Sequence, residues 1–381
     1  MHFRELLVLR FLLVYLLACL SGISYSFDFS DQGSPLRVLR QPFPDAAAEG
    51  AIGICSFNIQ WLGHWKKKKT RVLAELVQNC DALVVQELVA PPIDTEVRLA
   101  DGSVRFFPKD DEAHQFFVDL QVYGFDGVML AGEDTGPNQV HNYSTASEWP
   151  VIFYKSSRVE PAYDLPNGYI DEQIVSHPIF ARVPHAFGMR SVADGVPGVD
   201  FVVISVHMRP MGRKGEMVRY AQAKRVAEFQ SIALWIEEQR AFHPSMEEDF
   251  FIMGDMNVED ADEMGAFLGN VPESLLPYIR EVQGEVAPAF QQILDLGGYY
   301  SMNSYGRRLF GTNLTQDKPF DHIVFEPDRT TLLVDQRLFM IDLANTLGLK
   351  NYSRKIDFIR DYSDHNPLEL LVKLTPDEDG Y

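Results

Sequence analysis

Groups that bind metal ions or transfer protons follow the apolar, strand-like runs of this sequence. The run "FFIMGDMNVED" contains Asp255 and Asn257, two positions apart, so in an extended segment both side chains face the same way. A carboxylate beside a carboxamide offers oxygen ligands and a hydrogen-bond donor, which suits phosphate held next to a hard cation such as Mg²⁺. An Asx turn that closes the strand is the structural alternative.

The same pattern recurs at other strand ends. The residues concerned are Asn58, Glu87, His207, Asp321 and the adjacent pair Asp364 and His365. Singly, each has an ordinary interpretation, such as a turn residue, an exposed strand end or a hydrogen-bonded core histidine. Carboxylates are rarely buried unless they are paired or bound to metal. Because strand ends on one side of a sheet converge on one edge, the repetition predicts a single site.

The pair Asp364–His365 precedes the apolar run of "DYSDHNPLELLVKL". Successive side chains of a strand point to opposite faces, so a strand interior would separate the two residues. We therefore expect a loop at the mouth of the last strand, from which both can reach the site.

Strand and helix patterns alternate along the chain. Helical spacing of apolar residues predicts helices within "KKKKTRVLAELVQN", near residues 111–123 and over residues 214–239. Residues 260–315 are irregular and are interpreted as a variable insertion. Residues 27–50 are interpreted as a linker, residues 51–375 as the catalytic domain and residues 376–381 as an acidic tail. The interleaving of strands and helices indicates the α/β class.

The first 26 residues have basic residues early, then an apolar stretch, then small residues, which predicts a secretory signal peptide. An uncleaved anchor, or lipid attachment at Cys19 within "LLAC", is the alternative. We thus expect a secreted or periplasmic protein. Only Cys55 and Cys80 then remain, and an exported protein could join them in a disulfide. Their positions beside core strands favour two buried free thiols.

The formal charge of −20 argues against a tight non-specific nucleic-acid binder, which would be basic. Two local basic clusters nevertheless lie beside the site motifs, residues 66–71 and 209–219. The first is flanked by Trp61 and Trp65. It is either a phosphate contact with an indole available for base stacking or the solvated first turn of a helix.

The motifs "FNIQWLG", "VVQEL", "SVHMRP", "GDMNVED", "FDHIVF" and "YSDHNP" occur in one order over residues 51–374. In order and spacing they resemble the endonuclease/exonuclease/phosphatase superfamily, which has the deoxyribonuclease-I-like fold. The resemblance implies two β-sheets packed face to face with flanking helices, a four-layer α/β/β/α sandwich. It also implies a divalent cation, Mg²⁺ with Mn²⁺ or Ca²⁺ as alternatives.

On the metal side, the resemblance implies that Glu87 is the principal metal ligand. Asn58 beside it would touch metal or phosphate, and Asp364 would be a further metal-side carboxylate.

On the proton-transfer side, the resemblance implies that His365 is the general base for the attacking water and that Asp321 orients its imidazole. His207 resembles the second histidine of the nuclease branch, at the scissile phosphate or leaving group. Asp255 and Asn257 resemble the pair that positions the nucleophile and stabilises the leaving oxygen.

The chain departs from the family pattern ahead of the strand "WPVIFYK". Many relatives have a phosphate-binding arginine there, whereas this chain has Glu148 and Trp149. Arg209 or Tyr143 could supply the missing contact.

The sequence predicts a secreted, metal-dependent phosphodiesterase, with a DNA or RNA endonuclease favoured because of His207. No protein partner is implied, and we expect a monomer. A sphingomyelinase-like lipid phosphodiesterase or a phosphomonoesterase is the alternative, with residues 297–306 as an apolar loop for a membrane lipid. An inactive binding relative is a third possibility, against which the intact motifs argue.

Overall fold

The structure is a computed structural model. It describes residues 37–98, 103–131, 148–170, 180–192, 199–212, 214–242, 249–286, 299–302, 304–305, 308–330, 332 and 334–374. The predicted signal peptide, the lipid site at Cys19 and the acidic tail lie outside these residues. Within them, no helix is both long enough and apolar enough to cross a membrane.

Strands and helices alternate along the described chain, as the α/β class requires. The strands are β1 (Arg37–Arg40), β2 (Ala51–Leu62), β3 (Ala82–Leu88), β4 (Thr95–Arg98), β5 (Val104–Phe107), β6 (Gly127–Leu130), β7 (Val151–Tyr154), β8 (Val159–Pro161), β9 (Gly168–Tyr169), β10 (His185–Ser191), β11 (Asp200–His207), β12 (Phe250–Asp255), β13 (Tyr300–Ser301), β14 (Ser304–Tyr305), β15 (Arg308–Leu309), β16 (Asp321–Phe325), β17 (Val334–Met340) and β18 (Leu368–Lys373). The helices are α1 (Thr70–Leu76), α2 (Asp111–Gln121), α3 (Glu216–Phe242), α4 (Ala261–Phe267), α5 (Leu276–Val286), α6 (Leu343–Thr346) and α7 (Lys355–Asp361), with a 3-10 turn at Leu349–Asn351.

Most strands form two seven-stranded sheets. The first has the order β1-β17-β18-β2-β3-β7-β6, and the second has the order β13-β16-β12-β11-β10-β8 with β9 also paired to β10. Two hairpins, β4-β5 and β14-β15, stand apart from them. Side chains of the first sheet, such as Ile54 and Val84, share one buried cluster with Phe187, Val203 and Met253 of the second sheet. The two sheets therefore pack face to face, as the resemblance implied.

The outer faces of the sheets are covered by helices. α1, α2 and α7 pack on the first sheet, where Leu73, Phe116 and Phe358 join its core. α3, α4 and α5 pack on the second sheet, with Phe229 of α3 at the contact. The result is the predicted α/β/β/α order of layers. α2 begins where Asp110 accepts hydrogen bonds from the backbone N–H groups of Glu112 (2.9 Å) and Ala113 (3.2 Å), an N-cap.

Two boundary predictions need correction. The predicted linker is part of the fold from residue 37 onward, because β1 pairs in parallel with β17 and Phe43 is buried. The region predicted to be irregular, residues 260–315, contains α4 and α5. Their apolar residues, such as Phe267 and Ile279, are buried against the second sheet.

The prediction of free thiols is wrong in this structure, which joins Cys55 and Cys80 in a disulfide. Cys55 lies in β2 and Cys80 lies two residues before β3, and these two strands are parallel neighbours. Strand pairing therefore brings the thiols within bonding distance, with 5.9 Å between their Cα atoms.

Candidate active site

Three of the predicted site residues stand side by side at one edge of the second sheet. His207 is opposite Asp255 in the β11–β12 pair, and Asp255 is opposite Asp321 in the β12–β16 pair. Directly opposed residues of neighbouring strands project from the same face of a sheet. The register alone therefore brings an imidazole and two carboxylates together, and all three side chains are buried.

His365 reaches this row from the loop before β18. Its Nδ1 donates to the Asp321 carboxylate, at 2.9 Å from Oδ2 and 3.1 Å from Oδ1, because an ionised carboxylate can only accept. Thr312 donates to the same carboxylate from 2.8 Å and holds it in place. Burial alone would lower the pKa of His365, but Asp321 and Asp255 raise it well above its usual value. The predicted contact between Asp321 and His365 is confirmed.

His207 has a carboxylate partner of its own, Glu148. The Nδ1 atom of His207 donates to Oε2 of Glu148 across 2.9 Å, and Arg182 forms an ion pair with the other oxygen of that carboxylate. Burial raises the pKa of Glu148, yet His207 and Arg182 outweigh it and lower that pKa to about 2. The same pairing raises the pKa of His207 despite its burial.

The contact of Glu148 with His207 was not predicted from the sequence, where Glu148 stood out only as a departure from the family pattern. Its one sequence signal was an acidic residue directly before a buried strand, in a chain with a second strand-end histidine.

Both imidazoles face the same oxygen. Nε2 of His207 lies 3.6 Å and Nε2 of His365 lies 3.7 Å from Oδ2 of Asp255. The other oxygen of Asp255 accepts a 2.9 Å hydrogen bond from the backbone N–H of Asn257. Two carboxylate-backed imidazoles on either side of one point can remove a proton from one oxygen and supply a proton to another.

Asn58 connects this proton-transfer side to the metal side. Its Nδ2 donates to Oε1 of Glu87 (3.1 Å) and to Oδ2 of Asp255 (3.0 Å), while its Oδ1 accepts from the backbone N–H of Gln60 (2.9 Å). Burial raises the pKa of Glu87, and Asn58 opposes that shift. Asn58 therefore orients two carboxylates, and its role as a direct metal ligand stays a prediction.

Two carboxylate oxygens are candidate ligands for a divalent cation. Oε2 of Glu87 and Oδ1 of Asp364 are both buried and have no hydrogen-bond partner among the described residues. Glu87, His207 and Asp255 also have ligand atoms within 4.8 Å of one another. Buried, unpaired carboxylate oxygens are costly without a counter-charge, and Mg²⁺ takes one or two carboxylates together with substrate oxygens and water. The donor set therefore suits the predicted cation.

The backbone is strained where it presents these groups. Glu87 and Asn257 have φ of 59° and 52°, in the left-handed region that residues with a side chain rarely adopt. Gly254 has φ of 142°, and a Cβ there would lie 2.0 Å from the carbonyl oxygen of Val206. Only glycine fits between β11 and β12 at this point, so the close approach of the two strands fixes the residue type.

Ser363 joins the two halves of the site and was also missed. Its hydroxyl donates to the carbonyl oxygen of Asn58 (2.6 Å) and accepts from the backbone N–H of His365 (3.1 Å). The loop that carries Asp364 and His365 is thereby attached to β2. A serine two residues before the candidate base His365 carries no sequence signal that distinguishes it from a turn residue.

A cleft lies beside His207 and Glu148. It is lined by polar and aromatic side chains, among them Trp149, Tyr169, Arg182 and Ser205. Arg182 lies on this wall, where its guanidinium forms an ion pair with Glu148. The guanidinium of Arg209 instead faces the buried carboxylate of Glu228 at 3.8 Å. Tyr143 lies outside the described residues.

Neither the comparison with protein-family models nor that with curated proteins finds a match. Solved structures with similarity over most of the chain do exist. An endonuclease/exonuclease/phosphatase family protein from Bacteroides thetaiotaomicron is 15% identical, covers 84% of this chain and 97% of its own, and has a TM-score of 0.45. The human Nocturnin catalytic domain with bound sulfate is 13% identical, with 86% and 95% coverage and a TM-score of 0.44. A 3′ phosphatase from Neisseria bound to a product DNA hairpin is 17% identical, with 84% and 98% coverage and a TM-score of 0.41.

Proposed function

We propose that the chain is a divalent-metal-dependent phosphodiesterase of the endonuclease/exonuclease/phosphatase superfamily, and that its substrate is DNA or RNA cut internally. One observation carries the proposal. Two histidines, each hydrogen-bonded through Nδ1 to a carboxylate, present Nε2 to the same oxygen of Asp255 at 3.6 and 3.7 Å. Such a pair suits a reaction in which one oxygen loses a proton and another gains one, as in hydrolysis of a diester.

In the proposed reaction, a water oxygen attacks phosphorus in line with the leaving oxygen. His365 takes the proton of that water at Nε2, and Asp321 and Asp255 stabilise the imidazolium that forms. As the bond from phosphorus to the leaving oxygen breaks, His207 gives that oxygen its Nε2 proton, and Glu148 holds the imidazole in place. General acid–base catalysis of this kind is worth about 10²–10⁴ in rate.

Glu87 and Asp364 would hold the cation, since each has a buried oxygen without a hydrogen-bond partner among the described residues. When bound, the cation would polarise a phosphoryl oxygen, offset the negative charge that develops there and oppose the raised pKa values of the histidines. Asn58 keeps the Glu87 carboxylate turned toward Asp255, and Asn257 fixes the Asp255 carboxylate through its backbone N–H.

A lipid-directed phosphodiesterase is the second proposal, and the β4–β5 hairpin favours it. Val104 and Phe106 on that hairpin are 52% and 57% exposed. Phe107 of the same strand packs edge-on against Trp149, next to Glu148. Residues 297–306 give this alternative less support than expected, because Tyr299, one of those that the structure describes, is buried.

We further propose that the protein is exported, by cleavage of residues 1–26 or with a lipid on Cys19. The Cys55–Cys80 disulfide supports this proposal, because structural disulfides persist in oxidising compartments.

The test is turnover of plasmid DNA, RNA, sphingomyelin and phosphoinositides by the purified mature chain, with Mg²⁺ and with chelator. We expect nucleic acid to be cut only when Mg²⁺ is present. His365→Ala should lower this activity by a factor of about 10²–10⁴, whereas His114→Ala, a substitution in α2, should retain it. Cleavage of lipid without cleavage of nucleic acid would replace the nuclease proposal with the lipid one. If none of these substrates is turned over, the remaining hypothesis is a catalytically inactive relative that serves as a binding protein.

A further inference from the structure

The segment of residues 60–69, which contains the end of β2 and the loop after it, turns one tryptophan outward next to the site. Gln60 and Trp61 have φ of 54° and 57°, two consecutive left-handed residues. The β2–β3 register shifts here, between Asn58 and Leu62. The indole of Trp61 is 40% exposed as a result, while Ile59 and Leu62 on either side are fully buried. Strained backbone of this kind persists where the surrounding structure enforces it and is concentrated at functional sites.

Aromatic and cationic side chains support the indole of Trp61. Its ring packs edge-on against Trp65, with 5.1 Å between centroids, and against His64 at 5.5 Å. The ammonium of Lys68 and the guanidinium of Arg360 lie 5.4 and 5.7 Å from the Trp65 ring. These contacts fix the orientation of Trp61 before any ligand binds.

α7 fixes the other side of this loop. The buried ammonium of Lys68 donates to the carbonyl oxygens of Ile359 (3.1 Å) and Tyr362 (2.5 Å), and Lys69 forms an ion pair with Asp361 at 2.8 Å. Arg360 is 41% exposed on the same side. Lys67 is exposed and acts electrostatically on Asp357 of α7, so it too lies near this helix.

The surface formed by Trp61, Trp65, Lys67 and Arg360, called here the Trp61 surface, adjoins the site in sequence at both ends. Asn58 lies three residues before Trp61, and Asp364 lies four residues after Arg360. Ser363 hydrogen-bonds to Asn58 across the same junction. Two residues of the metal side, Asn58 and Asp364, are therefore carried by the same two segments of chain as the Trp61 surface.

We propose that the Trp61 surface binds single-stranded nucleic acid next to the scissile diester, with an unpaired base stacked on Trp61 and neighbouring phosphates facing Lys67 and Arg360. The inference rests on the proposed nuclease function and adds its substrate form. An indole can stack only on a base whose face is free, which excludes an intact duplex. Of the large apolar side chains of residues 60–69 only Trp61 is exposed, and cations surround it, which suits stacking better than insertion into lipid.

The test compares Trp61→Ala and Trp61→Phe with Tyr163→Ala, which alters a tyrosine that is 80% exposed. The readout is kcat/KM for a single-stranded 12-nucleotide DNA divided by kcat/KM for bis(p-nitrophenyl) phosphate. Loss of one stacked base should lower this ratio roughly tenfold in Trp61→Ala, through KM. Trp61→Phe should restore most of it, and Tyr163→Ala should leave it unchanged.

The salt dependence tests the two cations. The slope of log Kd against log salt is measured in chelator with the labelled 12-nucleotide DNA. It should fall by about 0.7 in Lys67→Ala and likewise in Arg360→Ala, because each variant leaves one phosphate of the single strand without its cation. Lys350→Ala, at an exposed lysine, is the control.

The outcomes separate the two proposals. If the wild type cleaves neither substrate with Mg²⁺, the proposed function fails, whatever Trp61 binds. If the wild type cleaves both and Trp61→Ala keeps the wild-type ratio and Kd, the inference is overturned while the nuclease stands. Tighter binding of duplex than of single strands would also overturn the inference. So would a Trp61-dependent association with anionic phospholipid vesicles in place of DNA.

Discussion

Glu148 accepts a 2.9 Å hydrogen bond from Nδ1 of His207, although the two residues are 59 positions apart. Glu148 lies just before β7 of the first sheet, and His207 ends β11 of the second. The bond therefore crosses from one sheet to the other at the mouth of the cleft. It gives His207 the same kind of support that Asp321 gives to His365 within the second sheet.

Replacement of Glu148 by Gln should lower the rate of diester hydrolysis about 10²-fold, because His207 loses the carboxylate that orients it and favours its protonated form. The loss should depend on the leaving group. A p-nitrophenolate needs no proton to depart, so its diester should lose far less rate than an oligonucleotide does. Measurement of kcat on both substrates checks this.

Glu160→Gln, at an exposed glutamate, is the matched control for Glu148 and should behave as wild type. An equal loss on both substrates would argue that His207 does not protonate the leaving oxygen.

His365 and Asp321 should act as one unit. We expect His365→Ala to reduce kcat by about 10²–10⁴. Asp321→Asn should reduce it by somewhat less, and the double variant should be no slower than His365→Ala alone. Groups that act together are strongly non-additive, since removing the base leaves nothing for its partner to orient. Single-turnover rates of the three variants give the comparison. If the losses of rate in the two single variants add up in the double variant, His365 and Asp321 do not act as one unit.

Removal of the charge of a metal-side carboxylate should chiefly weaken the binding of the cation. Glu87→Gln and Asp364→Asn each remove the charge of a carboxylate that has a buried oxygen without a hydrogen-bond partner among the described residues. Loss of such a ligand should raise the Mg²⁺ concentration needed for half-maximal activity at least tenfold. Titration of activity and of bound Mn²⁺ measures this, with Glu160→Gln again as control. Full activity of the wild type in chelator would refute a metal-dependent site.

Glu369, which is not one of the candidate site residues, should make the stability of the protein depend on pH. Burial, and secondarily Asp81, raises the pKa of this carboxyl to about 9, and neither oxygen has a hydrogen-bond partner among the described residues. The folded chain therefore keeps a proton that the unfolded chain releases near its ordinary value of 4.5. Stability should then fall as pH rises through this window, by up to about 4 kcal/mol between pH 5 and pH 8, at about 1.36 kcal/mol per unit.

The check on Glu369 is urea unfolding of the wild type and Glu369→Gln at pH 5, 6.5 and 8. Glutamine cannot ionise, so the variant should lose most of the slope, whatever its stability at pH 5. A slope equal to that of the wild type would show that Glu369 does not hold this proton.

Much of the architecture was predictable, because it depends on local patterns. Apolar runs with helical spacing identified α1, α2 and α3, with boundaries that moved by a few residues. The polar strand ends at His207, Asp255 and Asp321 indicated the candidate site, since register places strand ends of one sheet together. The pairing of Asp321 with His365 was predicted from the resemblance and is confirmed.

The rest depends on contacts between distant segments, which no local pattern encodes. Glu148 acquires its role only when the two sheets pack and bring it to His207. Ser363 matters because β2 ends beside its loop. Cys55 and Cys80 are 25 positions apart, and only the pairing of β2 with β3 brings them together. β1 is too short to be recognised from the sequence, and it forms because it pairs with the edge of β17.

The layer of side chains between the sheets has a consequence for the chemistry. Glu87 lies in the first sheet and Glu148 just before its strand β7, whereas the row of His207, Asp255 and Asp321 belongs to the second sheet. The thickness of the apolar layer between the sheets therefore sets the distance across the site. A misplacement of about 1 Å can cost an enzyme about 10² in rate. Substitutions that change the volume of residues between the two sheets should therefore lower the catalytic rate before they unfold the protein. The apolar interior thus sets the spacing of the reacting groups.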